Sequence, residues 1–363
     1  MKINIPGLKI IFIGCIIISL FLNTGCIQQG TKVIKNSIGI TDMLGRVIEV
    51  PRDINKIVGI EAGALRLLVY LECTDLVVGI EDVELESGKP YNFAHPELFE
   101  LPLIGPIHGG DAELIMKQNP DIIFWTYTTT GDADELQEKT GIPVVAINYG
   151  DLDDSRDTFF EALRLIGSIL DKNNRAEELI KYINQIITDL DDRTANISED
   201  QKLKTYVGGI GHRGAHGILS TEATYAPFLF VNTINVANEL GMNHAFIDQE
   251  KLIEWNPDII FIDEGGYLLS IEDVKGISYK SVTAIENNNL YGVIPYNSYT
   301  INIGTVLANA YYIGTVLFPD EFSDINVEEK ADEIYQNFVG KGVYKDMETM
   351  FGGFKKITLG END

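Results

Sequence analysis

One stretch of this sequence occurs twice. Residues 113–124, Glu-Leu-Ile-Met-Lys-Gln-Asn-Pro-Asp-Ile-Ile-Phe, return 137 positions later without a gap as Glu-Lys-Leu-Ile-Glu-Trp-Asn-Pro-Asp-Ile-Ile-Phe at residues 250–261. Proline cannot continue a helix, and the aspartate after it opens a turn. Ile-Ile-Phe then reads as entry into a buried strand. Each copy therefore encodes a helix end, a turn and a strand, led by a glutamate six residues before the asparagine. Two such units predict two lobes of similar build.

The chain around the repeats alternates as expected for parallel α/β lobes. Apolar runs at 57–60, 77–80, 122–125 and 144–147 read as strands, with helix-length segments at 64–71, 112–118 and 132–140 between them. A hairpin pattern over 40–51 turns at Gly45 and ends at Pro51. Phe159, Phe160, Leu163, Ile166 and Leu170 recur at helical spacing. Residues 174–195, with Ala176, Leu179, Ile180, Ile183, Ile187 and Leu190 on one face, read as one helix roughly 30 Å long at 1.5 Å per residue. Strand runs resume at 205–210, 259–262 and 290–294, and Ala331, Ile334, Tyr335 and Phe338 mark closing helices. The fold class is thus α/β: two Rossmann-like lobes with parallel sheets, with one long helix between them in the sequence. The expected divisions are 1–25 signal, 26–39 tether, 40–172 first lobe, 173–197 long helix and 198–363 second lobe, the two-lobed core running from about 56 to 322.

The N-terminus indicates the compartment. Lys2 and Lys9 precede an apolar run, 10–22, which is short for a membrane span and suits a signal core. Leu22-Asn23-Thr24-Gly25-Cys26 then looks like a lipoprotein signal with Cys26 lipidated, although Asn23 stands where an apolar residue is usual. An uncleaved anchor helix is the other reading, and both place the remaining chain on the extracytoplasmic face of the membrane. Of the three cysteines, Cys15 lies in the signal core and Cys73 among aliphatics, so no disulfide framework or Cys-x-x-Cys metal site is available. A net charge of −26 argues against nucleic acid as partner, because phosphates would be repelled.

The Thr41-Asp42…Gly45-Arg46…Val50-Pro51 opening, Lys56-Ile57-Val58-Gly59, Val77-Val78-Gly79, Leu101-Pro102…Gly105 and the two repeats, in this order, resemble the iron-siderophore and cobalamin substrate-binding proteins of ABC importers. The resemblance spans about 40–322. It implies that the long helix at 173–197 bridges the lobes, in a non-enzymatic, monomeric protein that needs no cofactor and holds a metal chelate between them. Its partners are then the permease and ATPase subunits of the importer. The resemblance also implies docking of one exposed glutamate per lobe onto the membrane subunits, and Glu113 and Glu250 occupy the matching places. Both also suit plain helix N-terminal charges.

Ligands of parallel sheets sit beyond the carboxyl ends of the strands. Read by position, those ends offer His108, Trp125, Tyr127, His212, Arg213, His216, Tyr225, Glu264, Tyr296 and Tyr299 as ligand-binding residues. Glycines at 208, 209, 211, 214 and 217 interrupt the segment holding His212, Arg213 and His216, so it reads as a loop. An imidazole there could ligate a metal directly, and Arg213 could pair with an anionic group. Both could equally be solvated loop residues. His244 reads as structural. Siderophore-iron, haem and a corrinoid all fit an aromatic cleft. A chelate-handling enzyme lacks support from any GxxxxGK[ST], GxSxG or HExxH motif, and five scattered histidines do not suit a bare-metal binder.

Overall fold

The computed structural model describes residues 36–359, so Cys26 and the signal segment lie outside the described residues. Strands β1 (Ser37–Thr41) and β2 (Val47–Pro51) form the expected hairpin. Its Thr-Asp…Gly-Arg motif has a local cause. Buried Asp42 accepts backbone N–H groups from Leu44, Arg46 and Ala146 and pairs with the Arg46 guanidinium at 2.9 Å. Arg46 also donates to Val144 O, so the turn is fastened to the edge of the first lobe.

The first lobe is the parallel sheet β3 (Ile57–Ile60), β4 (Ile122–Thr126) and β5 (Val144–Ile147), in that order. The run 77–80, expected as a strand, makes single bridges instead: Ile57 with Val77 and Ile80 with Leu103. Gly79 lies against the Ile104 side chain, and the chain turns away after one contact at each end. The second lobe orders β12 (Lys355–Ile357), β11 (Leu290–Val293), β10 (Ile259–Asp263), β6 (Lys204–Gly208) and β8 (Ile234–Asn235). Only β12 runs antiparallel. A small hairpin, β7 (Ser220–Glu222) with β9 (His244–Phe246), lies beside it.

The repeat is structural as well as sequential. Helices Ala112–Gln118 and Gln249–Trp255 are each capped by an aspartate, Asp111 or Asp248, and each ends on a left-handed asparagine, Asn119 or Asn256. The aspartate of each Asn-Pro-Asp then sets the register of the neighbouring strand. Asp121 accepts from the N–H of Asn55 and Lys56 and donates its own N–H to Lys56 O at 2.8 Å. Asp258 accepts from Lys204 N–H and donates to Lys204 O at 2.8 Å.

Three apolar clusters fill the molecule. One, including Ile60, Ile115 and Ile123, covers the outer face of the first sheet. Another, including Tyr206, Leu252 and Ile262, covers the outer face of the second. The largest joins the two inner faces, linking Phe124 and Ile147 to Val207 and Phe261. The bridging helix Asn173–Thr194 and the nearly all-buried helix Ile303–Leu317 run through it. Helix Val327–Val339, read from sequence as closing the second lobe, also packs on Ala64–Tyr70 and Pro90–Ala94, with the Tyr70 and Phe338 rings 4.9 Å apart. Its apolar face needs cover, and the first lobe supplies it.

Truncating Asp42 to alanine takes an acceptor from the Arg46 guanidinium, which keeps Val144 O and Asp134, and from three N–H groups, of which that of Ala146 is buried. We expect a loss of about 3 kcal/mol, read as a lowered urea midpoint with an unchanged slope.

Candidate functional site

The loops at the carboxyl ends of both sheets meet along a polar seam. Among the described residues, seven that are neither glycine, asparagine nor aspartate have a left-handed backbone: Glu61, Glu72, His108, Tyr127, Arg213, Tyr299 and Thr300. All except Glu72 lie at this seam. Bulky residues are rarely held there unless surroundings force them, and such strain concentrates at functional sites.

Arg66 organises the seam. The side chain is fully buried. Its guanidinium donates to Tyr149 Oη (3.2 Å), Ile301 O (3.0 Å), Ser298 O (2.7 Å) and Tyr299 O (3.1 Å). A first-lobe helix thereby grips the second-lobe loop at 297–301. Gly63, just before that helix, is required: a Cβ would fall 2.3 Å from the Tyr149 ring and 2.8 Å from the Thr300 methyl. Tyr127 Oη and Thr300 Oγ1 are 2.8 Å apart, a second tie between the lobes. The third is Tyr299 Oη donating to Glu81 at 2.9 Å. Glu81 also accepts from Glu61 N–H and Gly109 N–H. Burial pushes its carboxyl up to about 7, against the lowering effect of these donors. His108 Nδ1 sits 2.8 Å from Glu61 Oε1, and its ring is otherwise largely exposed.

The second-lobe side is basic and aromatic. His212 and Arg213 are exposed in the glycine-rich loop, and Gly211 O accepts from Asn297 of the gripped loop at 3.0 Å. His212 stacks on His244, with ring centroids 4.2 Å apart and planes 13° apart. His216 and His244 each meet the exposed Phe246 edge-on at 4.8 Å. His244 Nε2 lies 2.8 Å from Ser220 Oγ. Burial, then the neighbouring His212 and His216, lower its pKa to about 4, so His244 stays neutral beneath His212. Sequence reasoning set His244 aside and missed Phe246. Their signal was the β7–β9 hairpin, which returns residue 244 beside 220. No group of three or more His, Cys, Asp or Glu among the described residues is arranged to hold a metal ion.

Four expected contacts lie elsewhere. Tyr225 is fully buried between Phe228 and Tyr296, and Tyr296 is buried too, so both serve packing. The Glu264 side chain has no exposed surface and pairs with Lys355 at 2.9 Å, fastening β12 to the sheet. Trp125 points to the outer face of the first sheet beside Ile123, under the Gly109 turn. With His108 it lines a pocket of about 260 Å³ next to helix Thr130–Thr140. Glu113 and Glu250 are both exposed, each in the first turn of its repeat helix.

A second acidic knot joins the lobes. Asp153 contacts Thr224 and faces Glu222, which bonds Tyr296 and lies near Asp263. Burial, then Asp153 and Asp151, push Glu222 up to about 7. Burial, with Glu222 and Glu264, pushes Asp263 up to about 8.

The chain matches the model of the family described as periplasmic binding protein over residues 57–295, and it belongs to that family. It is accordingly a substrate-binding protein of the ABC-importer type and not an enzyme. It is 24% identical over 323 residues to the molybdate-binding protein MolA of Haemophilus influenzae, covering 82% of this chain and 90% of that one. The molybdate-bound MolA structure aligns with a TM-score of 0.67 over 84% of this chain and 98% of that chain, at 22% identity. An uncharacterized ABC transporter substrate-binding lipoprotein of Bacillus subtilis, YvrC, is 19% identical, with 82% and 90% coverage. A nickel-histidine complex of Helicobacter pylori CeuE aligns with a TM-score of 0.62 at 16% identity, covering 87% of this chain and 99% of that one.

The raised carboxyls of Glu81, Glu222, Asp263 and Glu264 bind protons more tightly in the fold than in the open chain, so stability falls as pH rises from about 4.5 towards 7 or 8. We expect the melting temperature to drop across that window and Asp263→Asn to flatten the slope, measured by calorimetry.

Proposed function

We propose that this protein is the extracytoplasmic, Cys26-lipidated substrate-binding component of an importer that takes up an iron-siderophore or related metal chelate. The observation that carries the reading is the seam itself. Strained residues from both lobes converge there, and its second-lobe side carries the exposed His212 and Arg213 with the half-buried His216. A bulky chelate with anionic edges can span the seam. Arg213 and the imidazoles take its negative groups, His108, Tyr127 and Tyr299 bound the opposite side, and Phe246 offers an apolar contact. Haem or a corrinoid would use the same face. The match to MolA, together with the Arg213 and histidine loop, favours a second reading: a bare oxyanion such as molybdate.

Calorimetric titration with a ferric siderophore, haemin, cobalamin and molybdate separates these. A chelate binding with molybdate silent supports the first reading; molybdate alone binding overturns it in favour of the second. For the cargo that binds, Arg213→Ala should weaken affinity about 10- to 100-fold, the worth of a charge-assisted hydrogen bond.

Delivery follows from Glu113 and Glu250, which stand at equivalent turns of the two lobes and meet cationic groups of the permease, with the ATPase behind it. Reversing both charges should abolish uptake in cells while leaving cargo affinity unchanged. Lost affinity would make them pocket residues instead.

A further inference from the structure

The pocket holding His108 and Trp125 borders the seam through the 108–110 turn. It opens between the 108–110 turn and helix Thr130–Thr140, on the same outer face of the first sheet as helix Ala112–Gln118, which carries Glu113. Trp125 forms one wall. Asp132, Glu135 and Lys139 reach in from the helix. Asp132 is bonded to Thr129 and Glu135 is paired with Lys139, so the carboxylates outnumber the ammonium, while His108 is turned to Glu61. An indole beside surplus carboxylates is the arrangement that receives a cation, above all a planar guanidinium, which can stack on the ring and bond an acid at once. Leu114 and Ile107, next in sequence to Glu113 and His108, are exposed apolar residues that suit a protein surface over a free small cation.

We propose that this pocket receives one arginine side chain of the importer's membrane subunit, so that the first lobe docks through a socket as well as through Glu113. This rests on the docking reading above. The entering guanidinium displaces Lys139 from Glu135 and lies against Trp125. The volume of about 260 Å³ admits one such side chain and excludes a chelate.

Two measurements test it. The chain has two tryptophans, Trp125 and Trp255. Titration of the whole protein with N-acetylarginine methylamide, followed through the indole N–H signals, should shift Trp125 and leave Trp255 in place. The paired change Asp132→Asn with Glu135→Gln should remove that shift. No shift at Trp125, or equal shifts at both indoles, overturns the socket. In the second, the wild type and the paired variant bind the importer's permease–ATPase complex in nanodiscs. We expect docking to weaken about tenfold in the variant, with its affinity for the ferric siderophore or molybdate selected above unchanged. Unaltered docking overturns the proposal, and so does a loss of cargo affinity. Should the wild type itself fail to dock, the docking reading falls, and the arginine titration still decides the pocket.

Discussion

A single buried guanidinium ties the two halves of this protein together. Arg66 has no water to solvate it, so its charge must be met by neighbours, and four oxygens do so: one tyrosyl and three carbonyls of a loop some 230 residues away in sequence. Its two terminal nitrogens are met while Nε has no partner, and the charge is stable only in that arrangement, because loss of the acceptors would leave it uncompensated. The loop at 297–301 is held in its left-handed turn as a result, and Tyr299 and Thr300 are presented to the first lobe. Glu81 and Tyr127 add the outer ties, but both depend on where Arg66 places the loop.

The seam is polar on a shared apolar foundation. The two inner sheet faces belong to one cluster crossed by the bridging helix and helix Ile303–Leu317. A wide swing of one lobe against the other would open that cluster to water, which costs about 25 cal/mol for each Å² exposed. The geometry therefore favours small adjustments of the loops over large hinge motion. It also explains why the strain is concentrated in loop backbones, where a few torsions can change.

Charge is distributed unevenly over the seam. Acids gather at Glu61 and Glu81 and again at Asp153, Glu222 and Asp263, while imidazoles and Arg213 gather on the second lobe. In a chain of net charge −26, the Arg213 loop sets an exposed cation against the prevailing field. His244 supports it by remaining neutral, since two stacked imidazoles at 4.2 Å would repel if both were charged.

Much of this was legible in residue order. The repeated Asn-Pro-Asp-Ile-Ile-Phe specified a helix stop, a strand clamp and a buried strand in each lobe, because proline, aspartate and aliphatics act on their nearest neighbours. The hairpin turning at Gly45 and the long helix followed for the same reason. Tertiary structure decided which loop residues face out. Glu264, Tyr225 and Tyr296 sit after or beside strands as ligand contacts would, yet β12 and helix Ile303–Leu317 cover them. Trp125 fell on the outer face because side chains alternate along β4. His244 became part of the site only when β9 paired with β7. Local order sets torsions and periodicity; burial is set by segments that arrive from far along the chain, and their docking is a property of the whole fold.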